Sequence, residues 1–226
     1  MNELAIFAGV GGGLLGTQEI GLRCVCAVEL DWHRRCVLAQ RQNERTLHPP
    51  FPIWDDVSSF DAKPWRGLVD IVTGGFPCQA FSSAARGKNN AADLWPEMLR
   101  VVADVAPTYV FAENVSAKAI EHAAHDLSEI GYKTEMLPLS ASDLGADHVR
   151  ARYWLLAYAN DKSQLRSTVN AKMAVLKGIC GGVWASEPEQ SGMVDGASSW
   201  VDRYEAAGNG QVPVVAASAL WALANA

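Results

Sequence analysis

Two short stretches hold residues that could do chemistry together: Pro77-Cys78 and Glu113-Asn114. Each closes an apolar, β-forming run, "LVDIVTG" (68–74) and "TYVFAE" (108–113), so both fall at the strand ends where open α/β sheets bind ligands. A thiol of pKa ~8.5 is little ionised at neutral pH, yet its thiolate is a strong nucleophile and nearby positive charge enlarges that fraction. Arg86, Arg150 and Arg152 are the candidates to supply the charge. A glutamate beside such a nucleophile can act as a general acid when burial raises its pKa. Arg150 and Arg152, in "VRARYW", stand at i and i+2 on one strand face, where they could hold a carbonyl oxygen or a phosphate; an exposed basic edge has the same spacing.

A third stretch, "FAGVGGGLLG" (7–16), is a glycine-rich turn between a strand, "LAIFA" (4–8), and a helix opening with "LLGTQEI". It satisfies two patterns. Gly11, Gly13 and Gly16 fit the G-x-G-x-x-G of dinucleotide binding, while Phe7, Gly9, Gly11 and Gly12 fit F-x-G-x-G-G, found where adenosylmethionine binds. Glu29, closing the second strand "RCVCAVE" (23–29), can accept hydrogen bonds from ribose hydroxyls of either cofactor. The turn and Glu29 alone leave that choice open.

The elements that must position these residues alternate strand and helix through residue 160, the pattern of a mostly parallel α/β sheet. "WHRRCVLAQRQ" (32–42) reads as a helix, "HPPFP" (48–52) breaks regular structure, and a short strand follows near Ile53 and Trp54. The segment from Phe76 to Pro96 is a loop long enough to be functional. "AKAIEHAAHDLSEIG" (117–131) is an amphipathic helix, and "YKTEMLPLSAS" and "RYWLLAYA" form a closing hairpin at the sheet edge. Residues 161–200 show no sustained period, and a last helix starts near Pro213.

The 226 residues suit one domain, with 49% apolar residues to build its core. No apolar stretch reaches the length of a membrane span, and Glu3 replaces a basic leader, so the expectation is a cytoplasmic protein with no membrane partner. The cysteines (24, 26, 36, 78, 180) contain no C-x-x-C pair, which argues against both a disulfide framework and a zinc knuckle; Cys24 and Cys26 read as small buried hydrophobes. A net charge of −6 leaves no general footprint for nucleic acid, but residues 161–180 set Lys162, Arg166, Lys172 and Lys177 against Asp161 alone. That stretch would favour a polyanion, or is a solvated charged face.

Taken in order, "FAGVGGGLLG", "GGFPCQAFSSAARG", "ENV", "GADHVRARYW" and "GNGQVP" resemble the DNA cytosine-5 methyltransferases, especially the compact forms of bacteriophages and prophages. The resemblance covers nearly the whole chain except about 161–195. It implies the Rossmann-like fold of adenosylmethionine-dependent methyltransferases with a small recognition insertion: a catalytic and cofactor-binding part at 1–160, a reduced target-recognition region at 161–200 and a returning C-terminal segment at 201–226. It also implies that Cys78 attacks C6 of a cytosine flipped out of duplex DNA, that Glu113 protonates N3, and that Arg152, with Arg150 beside it, contacts O2. The methyl comes from S-adenosylmethionine, leaving S-adenosylhomocysteine and 5-methylcytosine, without a metal.

By the same resemblance the cofactor is held by Phe7, Gly9, Gly11, Glu29, Leu30, Asp56, Val57, Pro77, Leu94, Asn209 and Gly210, and the base or its strand by Gln79, Ser82, Arg86, Lys88 and Asn114. Two features depart from the family pattern. Asp147 and His148 stand where Pro-Gln is usual, and the recognition region shrinks to 40 residues or fewer, which suggests a short target, self-association or a helper subunit. The basic stretch from Lys162 to Lys177 would then mainly hold phosphates. Localisation follows as the cytoplasm of a bacterial host or phage-infected cell, in a restriction-modification setting. Methylation of RNA, an inactive DNA-binding relic and an NAD oxidoreductase are the alternatives; the last leaves Cys78 and Glu113 unexplained together.

Overall fold

The computed structural model describes residues 1–77, 93–180 and 210–226, without the side chains of 173–180. Among these, strands β1 (Asn2–Ile6), β2 (Arg23–Val28), β3 (Ile53–Trp54), β4 (Ile71–Gly75), β5 (Tyr109–Asn114), β6 (Lys133–Ser140) and β7 (Ala151–Tyr158) form one sheet, in the order β3-β2-β1-β4-β5-β7-β6. The first five are mutually parallel, and β7 runs antiparallel to both β5 and β6. The expected mostly parallel sheet and edge hairpin are both present. Reversal of β7 brings its amino end to the edge where β1, β4 and β5 deliver their carboxyl ends, so Asn114 faces Tyr153 and Glu113 faces Trp154.

Helices α1 (Gly12–Glu19), α2 (Trp32–Asn43), α3 (Trp95–Val105), α4 (Ala117–Glu129), α5 (Ser163–Cys180) and α6 (Pro213–Asn225) cover the sheet. Local chemistry sets several of their starts. Asp31 caps α2 by accepting from the Arg34 amide at 2.8 Å, Ser116 caps α4, and Pro213 sits in the first turn of α6. Because both sheet faces are covered, the central strand β5 is buried along its whole length. On one face Val72, Val110 and Leu155 pack with Met98 and Val102 of α3 and Ile120 of α4; on the other Ile71, Phe111 and Leu156 pack with Leu220 of α6. There Trp154 stacks on Phe111 with ring centroids 5.3 Å apart.

The segment read as lacking a period holds α5, whose Leu165 and Val169 are buried against α6. Their i, i+4 spacing puts both on one face of the helix. Lys162 is also corrected. Instead of facing a polyanion it is buried, with its ammonium 2.7 Å from both Glu135 oxygens and donating to the carbonyls of Leu223 and Ala226. Arg166 Nε likewise donates to the Ala224 carbonyl. Both cations fasten the end of α6; Lys162 is thereby removed from the expected phosphate-holding set, while Arg166 is exposed.

The glycine turn divides its labour. Gly9 and Gly11 adopt φ of 57° and 84°, the left-handed region that favours glycine. Gly12 and Gly16 are needed for closeness: a Cβ on Gly16 would lie 2.2 Å from the Pro213 carbonyl oxygen, and on Gly12 2.0 Å from that of Gln211. The Gly11, Gly13, Gly16 register thus reflects in part the seating of the C-terminal helix on α1. Gly16→Ala should destabilise the chain by about 1–3 kcal/mol through overpacking, read as a lower denaturation midpoint; an unchanged midpoint would contradict this α1–α6 contact.

Candidate active site

Glu113 sits at the end of β5, 6% exposed, with Gly75 beside it in register on β4. A Cβ on Gly75 would stand 2.7 Å from Glu113 Oε2, so a side chain there would displace the carboxylate. Arg152 Nε lies 2.9 Å from Oε1, and Gln211 Nε2 donates to Oε2 at 3.2 Å. Burial pushes the Glu113 carboxyl above the usual carboxylate range, opposed by Arg152, by the Gln211 hydrogen bond and by the charge of Arg150. Burial and the Arg152 charge lower the proton affinity of Arg150, which donates to the Gly210 carbonyl. Of the two arginines only Arg152 lies within β7; Arg150 precedes it and ties this edge to the C-terminal segment.

Asn114 is buried with both ends of its amide engaged. Its Nδ2 donates to the Phe76 carbonyl at 2.8 Å and its Oδ1 accepts from the Ser116 amide at 2.9 Å. The side chain therefore clamps the end of β4, two residues before Cys78, to the start of α4. Pro77 and Leu94 are joined by a hydrogen bond from the Leu94 amide to the Pro77 carbonyl at 3.3 Å. Cys78, Gln79, Ser82, Arg86, Lys88 and Asn209 lie outside the described residues.

The glycine turn lies on the same edge. Phe7, at φ 55°, holds a conformation costly for a bulky residue, of the kind that clusters at ligand sites. Gly9 donates its amide to Glu29 Oε2 at 2.7 Å, and Asp31 donates to Oε1 at 2.9 Å, so the Glu29 carboxylate is fixed at the end of β2 against the turn. Beside it Leu30 is 67% exposed, Val57 is buried, and Asp56 accepts from the Ser58 amide at 2.9 Å. A cleft lined by Phe7, Gly9, Gly74, Gly75, Glu113 and Gln211 joins the turn to the glutamate. Among the described residues, a Cβ at Gly9 would meet nothing within 4 Å.

Gln211 was not among the sequence candidates. Its only signal was a polar side chain directly after Asn209-Gly210, and its partner Glu113 is 98 residues away. A second unforeseen group, Glu3 of β1, lines the same cleft, 1% exposed, accepting from the hydroxyls of Thr17 at 2.7 Å and Thr73 at 2.6 Å. Of the two cysteines expected to be buried, Cys26 is, while Cys24 is partly buried at the margin of the core; burial pushes both thiols up, Cys26 to about 11, so neither is a nucleophile near neutral pH. His148 is half exposed, 3.7 Å from Asp147. Among the described residues no helix is long and apolar enough to cross a membrane.

Sheet order, strand senses and a cleft at the carboxyl edge, where open α/β sheets bind ligands, define a mostly parallel α/β fold with a buried acid in its cleft. The family model for C-5 cytosine-specific DNA methylase matches residues 1–206. Type II methyltransferase M.Eco47II of Escherichia coli is 32% identical over 173 residues, covering 70% of this chain and 39% of that protein. M.HhaI of Haemophilus parahaemolyticus is 28% identical over 171 residues, covering 71% and 50%. Among solved structures, an E. coli prophage protein described as a DNA modification methyltransferase superposes with a TM-score of 0.56 at 28% identity, over 70% of this chain and 47% of that one. Dnmt2 of S. pombe, at 22% identity and a TM-score of 0.57 over 71% and 51%, shares the fold. The chain belongs to the C-5 cytosine-specific DNA methylase family. It spans about half the length of these relatives, or less.

Glu3 makes the stability of this site depend on pH. Burial raises it from 4.5 to about 7, so its contribution is fully present below pH 4.5 and is lost as pH rises to about 7. At about 1.4 kcal/mol per unit the loss is on the order of 3 kcal/mol. The unfolding free energy of Glu3→Gln should therefore gain on wild type by that order between pH 4.5 and 8. A pH-independent difference between the two proteins would contradict a neutral, buried Glu3.

Proposed function

We propose that this chain carries out cytosine-5 methylation of duplex DNA through a covalent Cys78 adduct, using S-adenosylmethionine. The observation that carries the reading is the buried Glu113 held by Arg152 at the end of β5, in one cleft with the glycine turn. The donor set suits this cofactor: Glu29 offers carboxylate oxygens to ribose hydroxyls, exposed Leu30 and buried Val57 an apolar face to adenine, and Asp56 an acceptor to its amino group. Phe7, Gly9, Gly11, Pro77, Leu94, Asn209 and Gly210 complete the assignment. When bound, the cofactor supplies an electrophilic methyl group for C5.

The protein's own residues make C5 reactive. Cys78 thiolate forms a bond to C6 of a cytosine taken out of the stack, at a cost of a few kcal/mol for unstacking. The electron pair displaced into the ring is met at N3 by the Glu113 proton, and Arg152, supported by Arg150, holds O2. After C5 is methylated, loss of its proton returns electrons to the ring and expels Cys78. Asn114 fixes the strand end that carries Cys78, while Gln79, Ser82, Arg86 and Lys88 contact the extruded nucleotide and its strand. The buried environment of Glu113 supports its role as acid, because it favours the protonated form relative to an exposed glutamate.

Recognition of the target falls to residues beyond the packed part of α5, within the region 161–200, with self-association or a helper subunit completing it. Transfer of labelled methyl from S-adenosylmethionine to unmethylated duplex DNA tests the reading. Cys78→Ala should abolish labelling, and Glu113→Gln should lower the rate about 10²- to 10⁴-fold, the usual contribution of a general acid. Equal labelling by wild type and Cys78→Ala would sink the mechanism.

A further inference from the structure

We propose that Gln211 is a positioning residue that holds Glu113 in place and ties it to the glycine turn. The proposal rests on the methyl-transfer reading for the role of Glu113. The two oxygens of that carboxylate are held by different parts of the chain, Oε1 by Arg152 of β7 at 2.9 Å and Oε2 by Gln211 Nε2 at 3.2 Å. The seat for Gln211 is built from glycines. A Cβ on Gly13 would stand 2.1 Å from Gln211 Oε1, on Gly12 2.0 Å from its backbone oxygen, and on Gly75 3.0 Å from its Nε2. Arg150 fixes the preceding carbonyl, that of Gly210. One side chain thus touches the turn after β1, the end of β4 and the acid at the end of β5.

The choice of an amide has a chemical reason. The charged groups around it are Glu113 of β5, Arg152 of β7 and Arg150 just before β7, with Glu3 of β1 lining the same cleft. A third cation at this place would donate only, and would hold Glu113 ionised. An amide donates N–H to the carboxylate and, turned about its last side-chain bond, offers its carbonyl to the protonated acid. Gln211 can therefore hold Glu113 in both states that a proton donor must pass through.

The test titrates the Glu113 carboxyl in the full chain, by isotope-edited infrared spectroscopy of ¹³C-labelled glutamate, with Glu113→Gln identifying its band. In Gln211→Met the lost hydrogen bond to the carboxylate should move the midpoint up by about one pH unit. In Gln211→Glu, which keeps the shape, a second carboxyl beside the first should also raise it. Midpoints equal to wild type in both variants would overturn the proposal, and Gln211→Glu decides it if the Met variant does not fold. In methyl transfer, Gln211→Met should lower kcat about tenfold with KM for S-adenosylmethionine unchanged. Its alkaline limb should move to higher pH in step with the titration. A wild-type chain that transfers no methyl would count against the methyl-transfer reading, and the titration would still decide the role of Gln211.

Discussion

A carboxyl buried at the end of a central strand is the constraint around which this structure is arranged. Leaving Glu113 ionised and unpartnered there would be costly, so the fold must bring a cation and a hydrogen-bond donor to it from elsewhere in the chain. Arg152 arrives because β7 runs antiparallel between β5 and β6 and starts where β5 ends. An all-parallel sheet would deliver the carboxyl end of the neighbouring strand to this edge, and Arg152 would lie at the opposite one. The strand reversal and the buried acid are therefore one feature.

The C-terminal helix answers the same constraint from the other side. α6 packs on α1 and α5, and its amino end carries Gln211 and Gly210 into the cleft between the glycine turn and β4. Its far end is fastened by Lys162, which reaches carbonyls of Leu223 and Ala226 while paired with Glu135 of β6. The resulting chain of contacts runs from the sheet edge at β6, through Lys162 and α6, to Gln211 and Glu113. Residues far from the cleft thus help to set the position of its acid.

Much of this was legible in the sequence. Alternating apolar runs and helical spacing marked β1 to β7 in order, since parallel strands buried on both faces leave continuous apolar runs. Cys78, Glu113 and the glycine turn stood out because each closes or follows such a run. What escaped was long-range. α5 buries Leu165 and Val169 against α6, a partner that lies in a distant part of the chain. Lys162 looked like a surface charge because its partners, Glu135 and the end of α6, lie in distant parts of the chain. The packing role of Gly16 was hidden for the same reason: what forbids a side chain there is the backbone of Pro213, nearly 200 residues on.

The central claim is that the acid, the arginine and the glycine turn serve a thiol that attacks a base. Duplex DNA bearing 5-fluorocytosine tests it most directly, because fluorine at C5 cannot leave as a proton after methyl transfer and the adduct should persist. With S-adenosylmethionine and DNA both shown to be bound, the account predicts a stable protein–DNA adduct whose mass maps to the peptide containing Cys78. Absence of that adduct under those conditions, or its attachment at any other residue, would contradict it.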